Sequence, residues 1–229
     1  MKDKRYLFWD LDGTLTDPAE GITKSVQHTL RCEGILVEDR TALYPFIGPP
    51  LRDAFMEQYG FSAGQAESAI VHYREYFSQT GIFENKVYPG IPSLLGELRA
   101  AGIRLILATS KPAVFARRIL EHFDLLSCFT ILCGSELDGS RTRKEEVIRY
   151  ALEQTGARPE ETAMIGDRRF DIEGAHACGI AAVGVLYGYG SRQELEDAGA
   201  EALAADIPAL RRLFLYYRKG IYTGPLYGV

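Results

Sequence analysis

FWDLDGTLTD, residues 8–17, follows Tyr6 and Leu7, so an apolar run ends abruptly on two acids, Asp10 and Asp12. A short apolar run of this kind reads as a buried strand, and Gly13 lets the chain turn behind it. Residues i and i+2 of a strand point to the same side. The loop behind a strand end is also where an open α/β sheet places its ligands. Two acids crowded there repel each other unless a cation or a proton stands between them. The pattern suggests metal-assisted chemistry with a carboxylate nucleophile. Taken alone, the same residues also suit a turn-forming, helix-capping pair.

Outward from this stretch the chain changes character. Asp17-Pro18 reads as a helix cap followed by a proline at the first helical position. Ile22, Val26 and Leu30 then fall on one helical face. A Gly48-Pro49-Pro50 break precedes a second helix, and a third is expected over about Gly64–Thr80. No strand-like alternation interrupts residues 17–85, which read as an all-helical insertion. From Tyr88 onward strands and helices alternate. Strands are expected at 103–110, 129–133, 162–167 and 180–185, with a short strand or turn at 201–206. Helices are expected between them, and a last one over Ile207–Tyr217. This order predicts an α/β fold, a Rossmann-like parallel sheet with helices on both faces. Residues 1–16 and 86–229 form this core, and 17–85 form a small helical cap. The Gly- and Tyr-rich tail, residues 220–229, carries no functional reading.

Polar residues recur where the later strands end. Thr109 and Ser110 follow an apolar run, and their hydroxyls and neighbouring N–H groups suit a phosphate oxygen. A helix cap explains Ser110 equally well. Lys144 opens a helix, where anions are already favoured, although the basic run 141–144 also reads as solvated surface, and Arg141 and Arg143 are expected there. Asp167 ends a strand and Asp171 lies four residues on, in the first turn of the next helix. Hard oxygen ligands at this density suit Mg²⁺. In a parallel sheet these strand ends share one edge, and their convergence says more than any one of them.

Together, DLDGTLTD, ATSKP, Lys144 and GDRRFD resemble the four motifs of the haloacid dehalogenase superfamily, in its phosphatase branch, over essentially the whole chain. The helical block resembles the cap of the phosphoglycolate phosphatase and β-phosphoglucomutase group. The resemblance implies that Asp10 is the nucleophile, forming an aspartyl-phosphate, and that Asp12 is the general acid and base. It implies that Thr109 binds the transferring phosphoryl group and that Lys144 is the catalytic lysine. Asp10, the carbonyl of Asp12 and Asp167 match the Mg²⁺ ligands, and Asp171 matches the second acid of the fourth motif, either a ligand or a group behind the ligands. Thr14 and Ser110 are grouped with the phosphate-binding residues. Arg52 is the first candidate for a cap contact to substrate, followed by Lys24, His28 and Tyr44. The implied activity is hydrolysis of a small phosphomonoester, such as phosphoglycolate or a nucleoside monophosphate. A phosphomutase of the β-phosphoglucomutase type is the alternative, and Thr14 favours the phosphatase. A non-catalytic binding protein of the same fold is disfavoured because every motif residue is present. The glycines of 184–191 follow the wrong strand for a nucleotide-binding fingerprint.

Composition agrees with a globular enzyme: 229 residues, 46% hydrophobic and 25% charged. A net charge of −5 argues against a nucleic acid polymer as partner. The expected partner is a small phosphorylated metabolite, handled by a monomer or homodimer. Cys32, Cys128, Cys133 and Cys178 form no C-x-x-C pair, show no histidine at zinc-like spacing, and are expected as small buried groups in a reducing compartment. His72, His122 and His176 are expected on helix surfaces or in helix packing. The N-terminus lacks a signal-peptide apolar stretch and no window is long enough to span a membrane, so the expected location is cytoplasmic with no membrane partner.

Overall fold

In the computed structural model, which describes Met1 and residues 3–216, the chain opens on β1 (Tyr6–Trp9) and then β2 (Thr16–Asp17). Three helices follow: α1 (Ala19–Cys32), α2 (Leu51–Tyr59) and α3 (Ala63–Phe77). The chain returns through β3 (Lys86–Val87), which pairs antiparallel with β2. It then alternates through α4 (Ile91–Ala100), β4 (Arg104–Pro112), α5 (Ala113–His122), β5 (Ile131–Ser135), α6 (Lys144–Thr155) and β6 (Thr162–Gly166). The last elements are α7 (Arg169–Ala177), β7 (Ala181–Val185), α8 (Arg192–Asp197), β8 (Ala202–Ala204) and α9 (Ile207–Arg211).

Six strands form one parallel sheet in the order β5-β4-β1-β6-β7-β8. Central β1 pairs residue for residue with Arg104–Leu107 on one side and Thr162–Ile165 on the other. A strand covered on both faces needs apolar residues on both, and Leu7, Phe8 and Trp9 are fully buried. Leu7 and Trp9 join one core layer, with Leu94, Leu98 and Ile119 of α4 and α5. Phe8 joins the opposite layer, with Val147, Ile148 and Ile172 of α6 and α7. From β1 the chain runs outward through β4 and β5, then crosses back to β6 on the other side of β1, so the strand order reverses at β1. Such a switch point opens a crevice at the carboxyl ends of the strands, and Asp10 stands there.

The helical block stands over this edge. Ile22, Val26 and Leu30 of α1 are buried as the periodicity predicts, and α1 packs on α3. Phe46, Phe55, Tyr59 and Phe61 form a second, aromatic cluster within it.

Several expectations need correction. Pro18 caps α1 rather than opening it, and Asp17 Oδ1 accepts from the Ala19 N–H at 3.1 Å. Thr109 and Ser110 lie inside β4, which continues to Pro112 with an irregular register after Ala108. The third helix ends at Phe77, and residues 202–204 form a true strand. The last helix is α-helical only to Arg211, then π-helical over Arg212–Tyr216. Tyr217 and the tail 220–229 lie outside the described residues. Only Cys133 is fully buried, and Cys32 is exposed, because it sits on the outward side of the last turn of α1. His28, one turn earlier, brings its Nε2 to 3.9 Å from the Cys32 sulfur, so a histidine does stand at helical spacing from a cysteine. Among the described residues, no helix is long and apolar enough to cross a membrane.

Candidate active site

The Asp10 N–H donates to Ile165 O at 2.9 Å, which continues the β1–β6 ladder and fixes the residue where the strand stops. The turn then closes tightly. Leu11 O accepts from the N–H groups of Leu15 and Thr16, and Gly13 N–H donates to Thr16 O at 2.7 Å. Gly13 holds φ at +81°, and a Cβ there would lie 2.1 Å from Asp167 Oδ2. Glycine is therefore required both by conformation and by the approach of the acid.

Asp10, Asp167 and Asp171 are buried, and one oxygen from each lies within 4.8 Å of the others. Asp171 is the third residue of α7, and its Oδ2 accepts from the Arg168 N–H at 3.1 Å. Lys144 closes the group, with Nζ 2.8 Å from Asp10 Oδ1 and 2.8 Å from Asp171 Oδ1. Its side chain is 4% exposed, which overturns the solvated-surface reading of this lysine. Burial pushes the Asp167 carboxyl well above the usual range, and the neighbouring Asp171 and Asp10 add to it. Burial also raises Asp171, to about 6, against the opposing pull of Lys144. Burial alone would lower Lys144, but Asp10 and Asp171 outweigh it and hold its pKa above the ordinary value. Three clustered carboxylates with one ammonium beside two of them leave a negative excess in a buried site. A divalent cation that prefers hard oxygen ligands fits this donor set.

Asp12 takes a different partner. Its Oδ2 lies 2.6 Å from Lys111 Nζ, and its Oδ1 is buried without a hydrogen-bond partner among the described residues. Burial raises its pKa, with Lys111 acting in the opposite direction. Both Asp10 and Asp12 line the floor of a cavity of about 620 Å³, together with Thr109, Ser110 and Lys111. Phe46, Pro50, Arg52, Tyr73 and Phe77 of the helical block line its roof.

The other sequence candidates divide. Thr109 is buried on the floor, and its Oγ1 accepts from the Lys111 N–H at 3.2 Å. Ser110 lines the cavity, and its carbonyl accepts from Ser135 Oγ at 2.8 Å. Thr14 does not line it; fully buried, its hydroxyl faces Asp167 Oδ1 at 3.4 Å. Arg52 reaches the cavity but is half-exposed and paired with Glu67 at 3.0 Å. Lys24 is bound to Glu20 and Glu84, His28 faces Glu75, and Tyr44 packs edge-on against Tyr189. None of these three lines the cavity. Arg143 is exposed at the mouth as expected. Arg141 instead is partly buried, donating to Gly134 O and lying over the Tyr150 ring. His72 and His176 sit on helix surfaces beside Glu75 and Glu201, and His122 packs against Phe83.

Two contributors escaped the sequence reading. Lys111 is one; its only signal is its place directly after Thr109 and Ser110. The loop after β7 is the other. Tyr189 N–H donates to Asp167 Oδ2 at 2.8 Å, Tyr189 Oη to Asp17 Oδ1, and Tyr187 Oη to Thr14 O at 2.9 Å. This loop ties the Asp167 carboxylate to the start of the helical block. Arg168 makes a second tie, donating to Ile47 O and pairing with Glu194.

Known proteins share this architecture. The family model described as haloacid dehalogenase-like hydrolase matches residues 7–185. A 5'-nucleotidase of Pseudomonas aeruginosa is 50% identical over 207 residues, covering 90% of this chain and 94% of its own. The tyrosine-protein kinase PtkA of Mycobacterium tuberculosis is 41% identical, over 90% of this chain and 70% of its own. The crystal structure of a predicted phosphatase from Clostridium acetobutylicum superposes with a TM-score of 0.91 at 48% identity, covering 92% of this chain and 97% of that one.

Proposed function

This chain belongs to the haloacid dehalogenase-like hydrolase family and is a phosphoric monoester hydrolase, and from that premise we propose that it is a nucleoside monophosphatase working through an aspartyl-phosphate on Asp10. The observation that carries the reading is the cavity floor, where Asp10 and Asp12 lie side by side beneath a roof of helical-block residues. Residues 1–16 and 86–229 act as the catalytic core, and 17–85 as the cap that selects the substrate.

In the first step an Asp10 carboxylate oxygen bonds to phosphorus as the bond to the ester oxygen breaks. Asp12 supplies the proton that the departing alkoxide needs, and burial favours its protonated form. In the second step Asp12 accepts a proton from water as that water attacks the phosphoryl group and frees Asp10. Thr109, on the floor, offers a hydroxyl to the phosphoryl oxygens. Lys144 keeps Asp10 oriented, at 2.8 Å. Asp10, the Asp12 carbonyl, Asp167 and Asp171 would hold Mg²⁺, which would supply positive charge against the phosphate dianion.

Cavity size supports the substrate class. Small-molecule sites commonly enclose roughly 300–1,000 Å³, and about 620 Å³ suits a nucleoside monophosphate. Phosphoglycolate would leave most of that space empty. Tyr73, Phe77 and Phe115 line it and give an aromatic surface for a base or sugar. The 5'-nucleotidase name of the Pseudomonas relative points the same way.

The test is a screen of phosphorylated metabolites with Mg²⁺, read as released phosphate. Nucleoside monophosphates should give the highest kcat/KM. Preference for phosphoglycolate would sink the substrate class. Rapid interconversion of hexose phosphates with little phosphate release would favour the mutase.

A further inference from the structure

An ammonium carries three donors and no acceptor. Lys144 is ion-paired with Asp10 Oδ1 and Asp171 Oδ1, each at 2.8 Å, and donates to Ala108 O at 3.2 Å. Two ion pairs and one hydrogen bond to a carbonyl thus hold the ammonium among protein groups before any substrate arrives. Its position agrees with this. Lys144 does not line the 620 Å³ cavity, but only a smaller neighbouring one of about 250 Å³.

Lys111 presents the opposite case. Its side chain is 6% exposed, it lines the main cavity, and its ammonium has one carboxylate partner, Asp12 Oδ2 at 2.6 Å. The remaining contact of the ammonium is the face of Phe77, 4.6 Å from the ring centroid, on α3 of the roof. Donors are therefore left over beside Asp10, Asp12 and Thr109, where a phosphoryl group must sit to meet the nucleophile. The other cations of the cavity are elsewhere. Arg52 and Arg143 are exposed, and Arg74 donates to Leu137 O. A phosphate dianion meeting two acids needs a cation facing it in this low-dielectric floor. Lys111 lies in the stretch between Ala108 and Pro112 where the register of β4 against β5 is irregular.

Resting on the phosphatase reading above, we propose that Lys111 is the catalytic residue that binds the transferring phosphoryl group, and that Lys144 is a positioning residue for Asp10 and Asp171. Lys111 bridges Asp12 to phosphoryl oxygen, neutralising charge where the ester bond breaks. Its contact with Phe77 links that cation to the roof.

The experiment compares wild type, Lys111→Met and Lys111→Arg in the full chain with Mg²⁺. The readouts are p-nitrophenyl phosphate kinetics, and binding of inorganic phosphate by calorimetry and by competitive inhibition. Lys111→Met should lower kcat by about 10²–10³-fold, the scale of losing one preplaced donor. It should also weaken phosphate binding at least tenfold. Lys111→Arg should recover part of both, which a purely structural lysine would not show. Wild-type phosphate affinity and kcat in Lys111→Met would overturn the proposal while leaving the phosphatase reading intact. Were the wild type to hydrolyse no phosphomonoester, that reading would fall. The phosphate-binding comparison would still decide the role of Lys111. Were Lys111→Met not to fold, the arginine variant decides: retained phosphate binding supports the proposal and lost binding overturns it.

Discussion

The Tyr189 main-chain N–H lies 2.8 Å from Asp167 Oδ2, so the loop after β7 holds the acid that ends β6. The neighbouring residue explains how the loop comes so near. A Cβ on Gly188 would lie 2.4 Å from Asp167 Cβ and 2.4 Å from Gly13 O, distances that backbone-anchored atoms do not tolerate. Gly188→Ala should therefore push the loop off Asp167. Overpacking of this kind costs about 1–3 kcal/mol. The expected result is a lower Tm together with a weaker Mg²⁺ dependence of phosphate release. An unchanged Mg²⁺ titration would show that the loop does not position Asp167.

Asp10→Asn preserves shape and leaves the Asp10 N–H to Ile165 O bond in place. Lys144 keeps its ion pair with Asp171 and its hydrogen bond to Ala108 O. The fold should survive, seen by circular dichroism, while p-nitrophenyl phosphate hydrolysis falls below detection, since an amide is no nucleophile at phosphorus. Near-wild-type turnover would remove Asp10 from the nucleophile's role. EDTA should likewise abolish activity and Mg²⁺ restore it.

Much of this site was legible because its acids sit at strand ends. Asp10, Asp12 and Asp167 each follow an apolar run, and a parallel sheet brings such ends together whatever the details of the loops. The helical block was legible from Ile22, Val26 and Leu30, whose spacing survives in the buried face of α1. What stayed hidden depends on local irregularity or on backbone groups. Lys111 lines the cavity from a stretch of β4 whose register is irregular, and side-chain periodicity does not encode such a stretch. Tyr189 acts on Asp167 through its N–H, which any residue but proline provides. Lys144 was ambiguous because a lysine in a basic run is buried only when distant carboxylates converge on it. Thr14 was placed toward the substrate, but the turn at Gly13 directs its hydroxyl to Asp167 instead.

Protons and Mg²⁺ should compete at the acid cluster. Burial, with Asp10 adding to it against the pull of Lys144, raises the Asp171 carboxyl to about 6 in the folded protein. The unfolded value is about 3.9. The folded state thus binds the proton more tightly, so this group's contribution to metal-free stability is fullest below the unfolded value. It is lost as pH rises through about 6. Metal binding requires the deprotonated ligand. The rise in Tm on adding Mg²⁺ should accordingly be small at about pH 5 and grow as pH passes through about 6. Equal Mg²⁺-induced shifts on both sides of that value would contradict a carboxylate metal site containing Asp171.

Arg52 should affect substrate choice more than stability. Its pair with Glu67 at 3.0 Å is half-exposed, and such pairs contribute about 0–1 kcal/mol. Arg52→Ala should leave Tm nearly unchanged. It should raise KM for a nucleoside monophosphate several-fold more than KM for p-nitrophenyl phosphate, which carries neither ribose nor base. Parallel changes for the two substrates would place Arg52 outside the specificity surface.

Lys144→Met separates charge organisation from packing. Methionine fills similar volume, so the substitution leaves little cavity, but it strips the one ammonium paired with Asp10 and Asp171 among the described residues, both acids being buried. Breaking a buried ion pair by removing one partner costs about 3–5 kcal/mol because the other charge stays behind. The metal-free variant should lose that much stability near neutral pH and less in acid, where Asp171 and Asp167 take up protons. Mg²⁺ should recover part of the loss, since it offsets the same carboxylates from the other side. Urea unfolding with and without Mg²⁺, at acid and neutral pH, measures all four terms. A loss independent of both pH and Mg²⁺ would mean that Lys144 stabilises the fold through packing alone.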